Sequence, residues 1–174
     1  MEFVNDYVLV DIETTGLDKD MDEIIEIGAL LVKDNEIIDT FSMLIKPNKI
    51  LDDNIVNLTG ITNEMLAYEK DATYVLGKFD KFIGDNVLIA HNARFDYGFL
   101  SVNFTKYLDK PLKNRYIDTL FLTRKYIKNL ENYKLKTLAN HYNVDYTGAH
   151  RGLVDCMITK QVYDKLKEDV SCKV

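Results

Sequence analysis

The sequence predicts an α/β protein with a mixed sheet, and three observations carry that reading. Apolar runs bounded by turn residues fill the first third of the chain, the hydrophobic period becomes helical from Leu51 onward, and short strand-like runs then recur between helical stretches. A length of 174 residues is about one domain, and no repeat or linker interrupts it, so residues 1–174 are expected to fold as a single unit.

Tyr7-Val8-Leu9-Val10-Asp11-Ile12-Glu13 is an apolar run that turns acidic and breaks at Thr14-Thr15-Gly16, the pattern of a buried central strand ending in a loop. Ile24 to Val32 predicts a second strand and Glu36 to Ile45 a third, with Asp34-Asn35 as hairpin-turn chemistry between them. The first third therefore predicts a three-stranded antiparallel meander. Asp52 or Asp53 can cap a short helix and Thr62 another, after which Val75, Leu76, Phe79, Phe82 and Ile83 lie at helical spacing. Val87 to Ala90 predicts a short buried strand ending at His91-Asn92. Phe95, Phe99, Leu100, Val102 and Phe104 then predict a helix, and Tyr116 to Asp118 a strand. Leu135, Leu138, Ala139 and Tyr142 share one helical face, and Leu153, Met157, Val162 and Leu166 predict the core side of a final helix.

Composition excludes several classes. A chain that is 47% hydrophobic with eight Phe and eleven Tyr can build a core, and two Pro and eight Gly fit neither a collagen-like nor a linker-rich protein. The apolar stretches Ile24 to Val32 and Val87 to Ala90 fall far short of the roughly 20 residues of a membrane helix. Met1-Glu2-Phe3-Val4-Asn5-Asp6 lacks the basic and apolar regions of a secretory signal. Cys156 and Cys172 form one pair at most and no CxxC pattern, so neither a disulfide framework nor zinc is expected, and a reducing cytoplasm fits.

The net charge of −6 argues against tight binding to long duplex nucleic acid, which needs many cations at phosphates. The charge is divided, however. Residues 106–136 hold nine Lys and Arg against three acids, whereas residues 1–39 hold twelve acids against two Lys. The acidic front suits cations and the basic segment suits phosphates, although a solvated surface of uneven charge has the same composition.

Asp11 and Glu13 are two apart on one strand, so both side chains leave the same face beside the break. Among nineteen Asp and nine Glu, about one Asp-x-Glu arises by chance, and Asp34/Glu36 reads as ordinary hairpin surface. Asp11 and Glu13 differ because acids ending a Tyr-Val-Leu-Val run are expensive to bury unless a cation or hydrogen-bond donors compensate them. His-x-x-x-x-Asp occurs twice, as His91 to Asp96 and His150 to Asp155, each leading from a loop into a helix. Either acid can serve simply as a first-turn partner of the helix dipole. Four carboxylates gathered in one site would need counter-charge, which magnesium or manganese supplies to hard oxygen ligands. An imidazole alongside can take a proton from water near neutral pH. The combination describes metal-assisted phosphodiester hydrolysis.

Three segments then resemble the exonuclease motifs of the DEDDh family: Asp11-Ile12-Glu13-Thr14-Thr15-Gly16-Leu17, His91-Asn92-Ala93-Arg94-Phe95-Asp96 and His150-Arg151-Gly152-Leu153-Val154-Asp155. Leu58-Thr59-Gly60-Ile61-Thr62 and Leu135-Lys136-Thr137-Leu138-Ala139 are similar to further segments of that family, and the likeness runs from about Tyr7 to Leu166. Gly152 and Cys156 stand where alanine is common. The family includes proofreading subunits and exonuclease inserts of bacterial replicative polymerases and stand-alone 3′-to-5′ exonucleases. The resemblance implies a ribonuclease H-like fold with a five-stranded mixed sheet and two divalent metal ions, Mg or Mn. It implies Asp11, Glu13 and Asp155 as ligands of one ion, Asp11 shared with the second, Asp96 holding that second ion largely through water, and His150 as general base. It also implies that Thr14, Thr15, Gly16 and Leu17 seat the terminal nucleotide, helped by His91, Asn92 and Phe95, and that nucleoside 5′-monophosphates leave one at a time.

The expected partner is the 3′ end of single-stranded DNA or RNA, with DNA favoured and a DNA polymerase as a candidate associate; no membrane is involved. Arg124, Lys125, Lys128, Lys134 and Lys136 can guide the strand toward the acidic site. Two other classes compete: a non-enzymatic subunit binding nucleic acid or a polymerase through the same fold, which a missing acid would favour, and a ribonuclease H-like endonuclease. All four acids are present. The chain ends soon after its last predicted helix, so tethering to a polymerase through a long C-terminal tail is not expected.

Overall fold

The computed structural model describes residues 3–172; Met1 and Glu2, part of the N-terminal stretch read above, lie outside them. Strands β1 (Tyr7–Thr14), β2 (Ile24–Lys33) and β3 (Glu36–Leu44) form the expected antiparallel meander. Asp34 and Asn35 both adopt left-handed backbone, at φ 49° and 66°, which a tight turn with the twist of a hairpin requires. Helix α1 (Asp53–Thr59) is capped by Asp52, whose carboxylate accepts the N–H groups of Asn54 and Ile55, and Thr62 caps α2 (Asn63–Leu66). Then follow α3 (Ala72–Ile83), β4 (Leu88–Ala90), α4 (Ala93–Leu108), β5 (Tyr116–Asp118), α5 (Thr119–Tyr126), α6 (Leu135–Tyr142) and α7 (Gly152–Ser171).

The five strands form one mixed sheet in the order β3-β2-β1-β4-β5, with β4 parallel to β1 and β5 parallel to β4. Alternation along β1 assigns its two faces. Val8, Val10 and Ile12 join Val75, Leu76 and Phe79 of α3 and Phe99, Leu100 and Phe104 of α4 in one core. Tyr7 and Leu9 face the other way, into a second core with Leu122, Leu138, Val162, Tyr163 and Leu166. Asp11 and Glu13 share the parity of Tyr7 and Leu9, and this face is the one that α7 covers. β1 keeps its register with β2 up to Glu13 and shifts before Thr14, where the chain leaves the sheet.

Two helix faces differ from the sequence reading. In α4, Val102 is half-exposed and Asn103 takes the buried position, because it falls three and four residues after Leu100 and Phe99; its amide donates to the Phe99 carbonyl at 2.8 Å. In α7, Leu153 and Met157 are only partly buried, while Cys156, Ile158, Thr159 and Tyr163 line the core together with the expected Val162 and Leu166. That helix is covered by β1 and β2 and also by α5 and α6, so its apolar arc is wider than a single-face pattern suggests. Among the described residues no helix is long and apolar enough to cross a membrane.

Candidate active site

Asp11 pairs across the sheet with Gly28, and Glu13 with Glu26. The empty side of Gly28 is where α7 begins. A Cβ on Gly28 would lie 2.1 Å from the Gly152 carbonyl carbon and the Leu153 nitrogen, and one on Gly152 would lie 2.8 Å from the Gly28 nitrogen and 3.0 Å from the Asp11 carbonyl oxygen. Main chain therefore rests on main chain, and the first turn of α7 delivers Asp155 to the two strand acids. One carboxylate oxygen each from Asp11, Glu13 and Asp155 lie within 4.8 Å of one another. The Asp155 Oδ2 accepts the His150 N–H at 2.8 Å, whereas its buried Oδ1 has no hydrogen-bond partner among the described residues.

Asp96 reaches the same strand end from α4. Because β4 stops at Ala90, the Ile12 N–H finds no strand partner on that side, and it donates to Asp96 Oδ1 at 3.2 Å. Asp96 stands outside the 4.8 Å triad yet close enough for its charge to bear on Asp11. Burial pushes the Asp11 carboxyl well above its usual range, and the charges of Asp96, Asp155, Glu13 and Glu26 push the same way. Glu13 is raised to about 8, first by burial and then by Asp155, Glu26 and Asp96, against an opposing pull from Arg151. Asp96 is raised to about 7 by burial, even though the Ile12 N–H holds its charged form. Asp155 is raised by burial as well, against the His150 N–H.

These side chains fit divalent cations. The donors are hard oxygens, like charges crowd one another, and one buried oxygen has no hydrogen-bond partner among the described residues. Asp11 and Glu13 with Asp155 make one oxygen set, and Asp96 beside Asp11 can contribute to a second.

Sequence reasoning passed over Glu26, which lies inside the apolar run Ile24 to Val32. It is 1% exposed and forms a fork with Arg151, Nη2 to Oε1 at 2.9 Å and Nε to Oε2 at 3.1 Å, while the Gly152 N–H donates to Oε2 at 3.0 Å. The carboxylate thus both pairs with a cation and caps α7. The available signal was its period: Glu26 and Gly28 share a face of β2, and Arg151-Gly152 supplies the matching cation and small residue.

The remaining candidates surround the acids. His150 is exposed, with left-handed backbone at φ 69°, and its ring stands edge-on to Tyr146 at 6.4 Å. The loop after β1 is held by Asp22, which accepts the Thr15 hydroxyl at 3.3 Å, the Asp18 N–H at 3.0 Å and the Lys49 ammonium at 2.7 Å. A Cβ on Gly16 would sit 2.3 Å from that carboxylate and would have to push it out of its bonds. Thr14 and Thr15 are buried, and Leu17 stands 87% exposed at the loop's outer side. His91 is half-buried with both ring nitrogens engaged: Nδ1 with the Thr119 hydroxyl at 2.9 Å and Nε2 with the Tyr133 carbonyl at 3.0 Å. Burial lowers its pKa, and because the Tyr133 carbonyl can only accept, Nε2–H donates to it, leaving Nδ1 to accept in the neutral ring that burial favours. Asn92 is exposed, and Phe95 packs at 4.9 Å on Phe99. A cavity of about 510 Å³ lies at the other end of the sheet, between Asn35-Glu36 and α7, and contains none of these residues.

Comparison with known proteins agrees with this geometry. The RNase T family model, described as Exonuclease, matches residues 8–163. The DNA polymerase III PolC-type of Bacillus subtilis (strain 168) is 41% identical over 168 residues; the match covers 96% of this chain and 12% of that polymerase, so the chain spans a small part of its relative's length. Among solved structures, the nuclease domain of 3′hExo, a DEDDh family member bound to rAMP, superposes with a TM-score of 0.81 at 23% identity, covering 96% of this chain and 94% of that one. Exonuclease X in complex with 5′ overhanging duplex DNA gives 0.77 at 24% identity, covering 93% and 91%. The expected ribonuclease H-like fold is the one these structures share. With the family match, the sheet order and the acids at the end of β1 all in agreement, the chain belongs to the RNase T family of exonucleases, in its DEDDh branch.

Proposed function

We propose that residues 1–174 act as one exonuclease domain that removes nucleoside 5′-monophosphates from the 3′ end of single-stranded nucleic acid, with DNA favoured and two Mg or Mn ions as cofactors. The observation that carries the proposal is the convergence of Asp11, Glu13 and Asp155 oxygens within 4.8 Å, with Asp155 Oδ1 buried and unpartnered. Asp11, Glu13 and Asp155 would hold one ion, and Asp96 with the shared Asp11 the other. When bound, such ions polarise the scissile phosphate, lower the pKa of a water and neutralise charge on the leaving 3′ oxygen.

The chain's own groups supply the rest. His150, exposed beside the triad and fixed through its N–H to Asp155, removes the proton of the attacking water. Thr14, Thr15, Gly16 and Leu17 form the braced loop that seats the terminal nucleotide, with the exposed apolar Leu17 available to a base. Asn92 and Phe95 would help to seat that nucleotide, and His91 contributes by holding their turn in place through Thr119 and Tyr133. The kinship with a PolC-type polymerase supports the DNA preference, a polymerase as associate and a cytoplasmic setting.

Incubation with 5′-labelled single-stranded DNA and RNA oligomers tests the proposal, with Mg or Mn against EDTA and a circular single strand as control. The expected result is a ladder shortening from the 3′ end of the DNA and an intact circle. Cleavage of the circle, or no cleavage of either oligomer with metal present, overturns it.

A further inference from the structure

The turn that joins β4 to α4 is bound directly to both parts of the basic segment. Asp118 Oδ1 accepts the Asn92 N–H at 3.0 Å and the Leu120 N–H at 2.9 Å, so the cap of α5 and the Asn92 turn share one carboxylate oxygen. The His91 ring bonds Thr119, the first residue of α5, and Tyr133, the residue before Lys134. Two positively charged elements therefore start at the edge of the acidic site.

Their exposed faces are specific. α5 buries Thr119, Leu122 and Thr123, which leaves Phe121 and Arg124 on a solvent ridge at a spacing of three residues. Phe121 is 63% exposed, whereas the other seven Phe side chains are buried or half-buried. Beyond the helix, Lys128 turns back so that its ammonium donates to the Arg124 carbonyl at 3.1 Å, extending the positive charge along the same side. Lys134 and Lys136 are exposed where α6 begins. The +6 of residues 106–136 adjoins a site that is strongly negative without its metals, and a polyanionic strand approaching that site needs such a neighbour.

We propose that this face receives the single-stranded nucleic acid upstream of the cleaved bond, with a base stacked on Phe121 and phosphates held by Arg124, Lys128, Lys134 and Lys136. The inference rests on the exonuclease reading, because it places the remainder of the same substrate. Stacking on an aromatic ring beside cations binds strands with little regard to base, as removal of one nucleotide after another demands. The path begins at Asn92, where the terminal nucleotide is expected, and leads away along α5.

The test measures affinity by fluorescence anisotropy in EDTA, where no turnover occurs, using labelled oligothymidylate, oligouridylate and a blunt duplex. Phe121→Ala should weaken the single strand about tenfold. Combined Arg124→Ala and Lys128→Ala should make the slope of log affinity against log salt shallower by about 1.4, two cations at roughly 0.7 each. Weakening with either oligomer supports the surface and reports its sugar preference. Hydrolysis of a small chromogenic ester, thymidine 5′-monophosphate p-nitrophenyl ester with Mn, should be the same for wild type and variants, as should their melting temperatures. Unchanged affinity and salt slope in both variants, or blunt duplex bound as tightly as single strand, overturns the inference. Failure of the wild type to hydrolyse both the ester and the oligomers would instead remove the nuclease reading, while the titrations in EDTA still judge the surface.

Discussion

Asp11 is the residue on which most charge converges, and its replacement has two opposite expected effects. Asp11→Asn should lower turnover by about 10³-fold or more, since several kcal/mol of transition-state stabilisation depend on correctly held metal. The same change should raise the melting temperature of the metal-free protein, because it removes one of several mutually repelling buried acids. Differential scanning calorimetry with EDTA, beside kinetics with Mn, checks both; a lowered melting temperature contradicts the electrostatic account. Glu26→Gln should instead destabilise the fold by about 1–3 kcal/mol, less than a fully buried pair because Arg151 is 40% exposed, and denaturant unfolding reads that change. The two residues also differ in how visible they are beforehand. Asp11 and Glu13 announce themselves through local spacing at the end of an apolar run. Glu26 acquires meaning only from its register with Glu13 and from Arg151, 125 positions away, and no local pattern encodes that pairing.

At the scale of elements, the contact between β2 and α7 decides where the third acid stands. Gly152→Ala would set a Cβ 2.8 Å from the Gly28 nitrogen, and Gly28→Ala would set one 2.1 Å from α7 main chain. Both should displace the start of α7 at a cost of about 1–3 kcal/mol, the second more than the first. Mn affinity, followed by the paramagnetic relaxation of water protons, should fall in the same order; equal affinities in the two variants would falsify the role of this contact. Most strands and helices were readable because their signals are local: the Asp34-Asn35 turn, the Asp52 and Thr62 caps, and the apolar periods of α3 and α6. The inward turn of Asn103 was not, since a polar side chain that bonds within its own helix carries no hydrophobic signature. Nor was the wide buried arc of α7, which depends on α5 and α6 packing beside it.

Over the whole molecule, the raised acids link stability to pH. Glu13 at about 8 and Asp96 at about 7 hold protons in the folded, metal-free state that the unfolded chain releases near pH 4. The folded state thus binds more protons across that window, and stability must fall as pH rises from about 5 to 8. Saturating Mg or Mn should flatten or reverse this slope, because the ions bind the ionised acids, and thermal melts at several pH values with and without metal measure it. The acidic front third and the basic segment, recognisable as a composition bias, become in three dimensions a negative site bordered by positive elements tied to it through His91 and Asp118.

The meeting of Gly28 and Gly152 also bears on how quickly an ion is captured. Bare backbone against bare backbone fixes the main chain that carries Asp11 and Asp155 relative to one another before any ion arrives. Loading should then await only the loss of protons from the raised acids and the shedding of the ion's hydration shell, free of the lag shown by sites that assemble only as their protein folds.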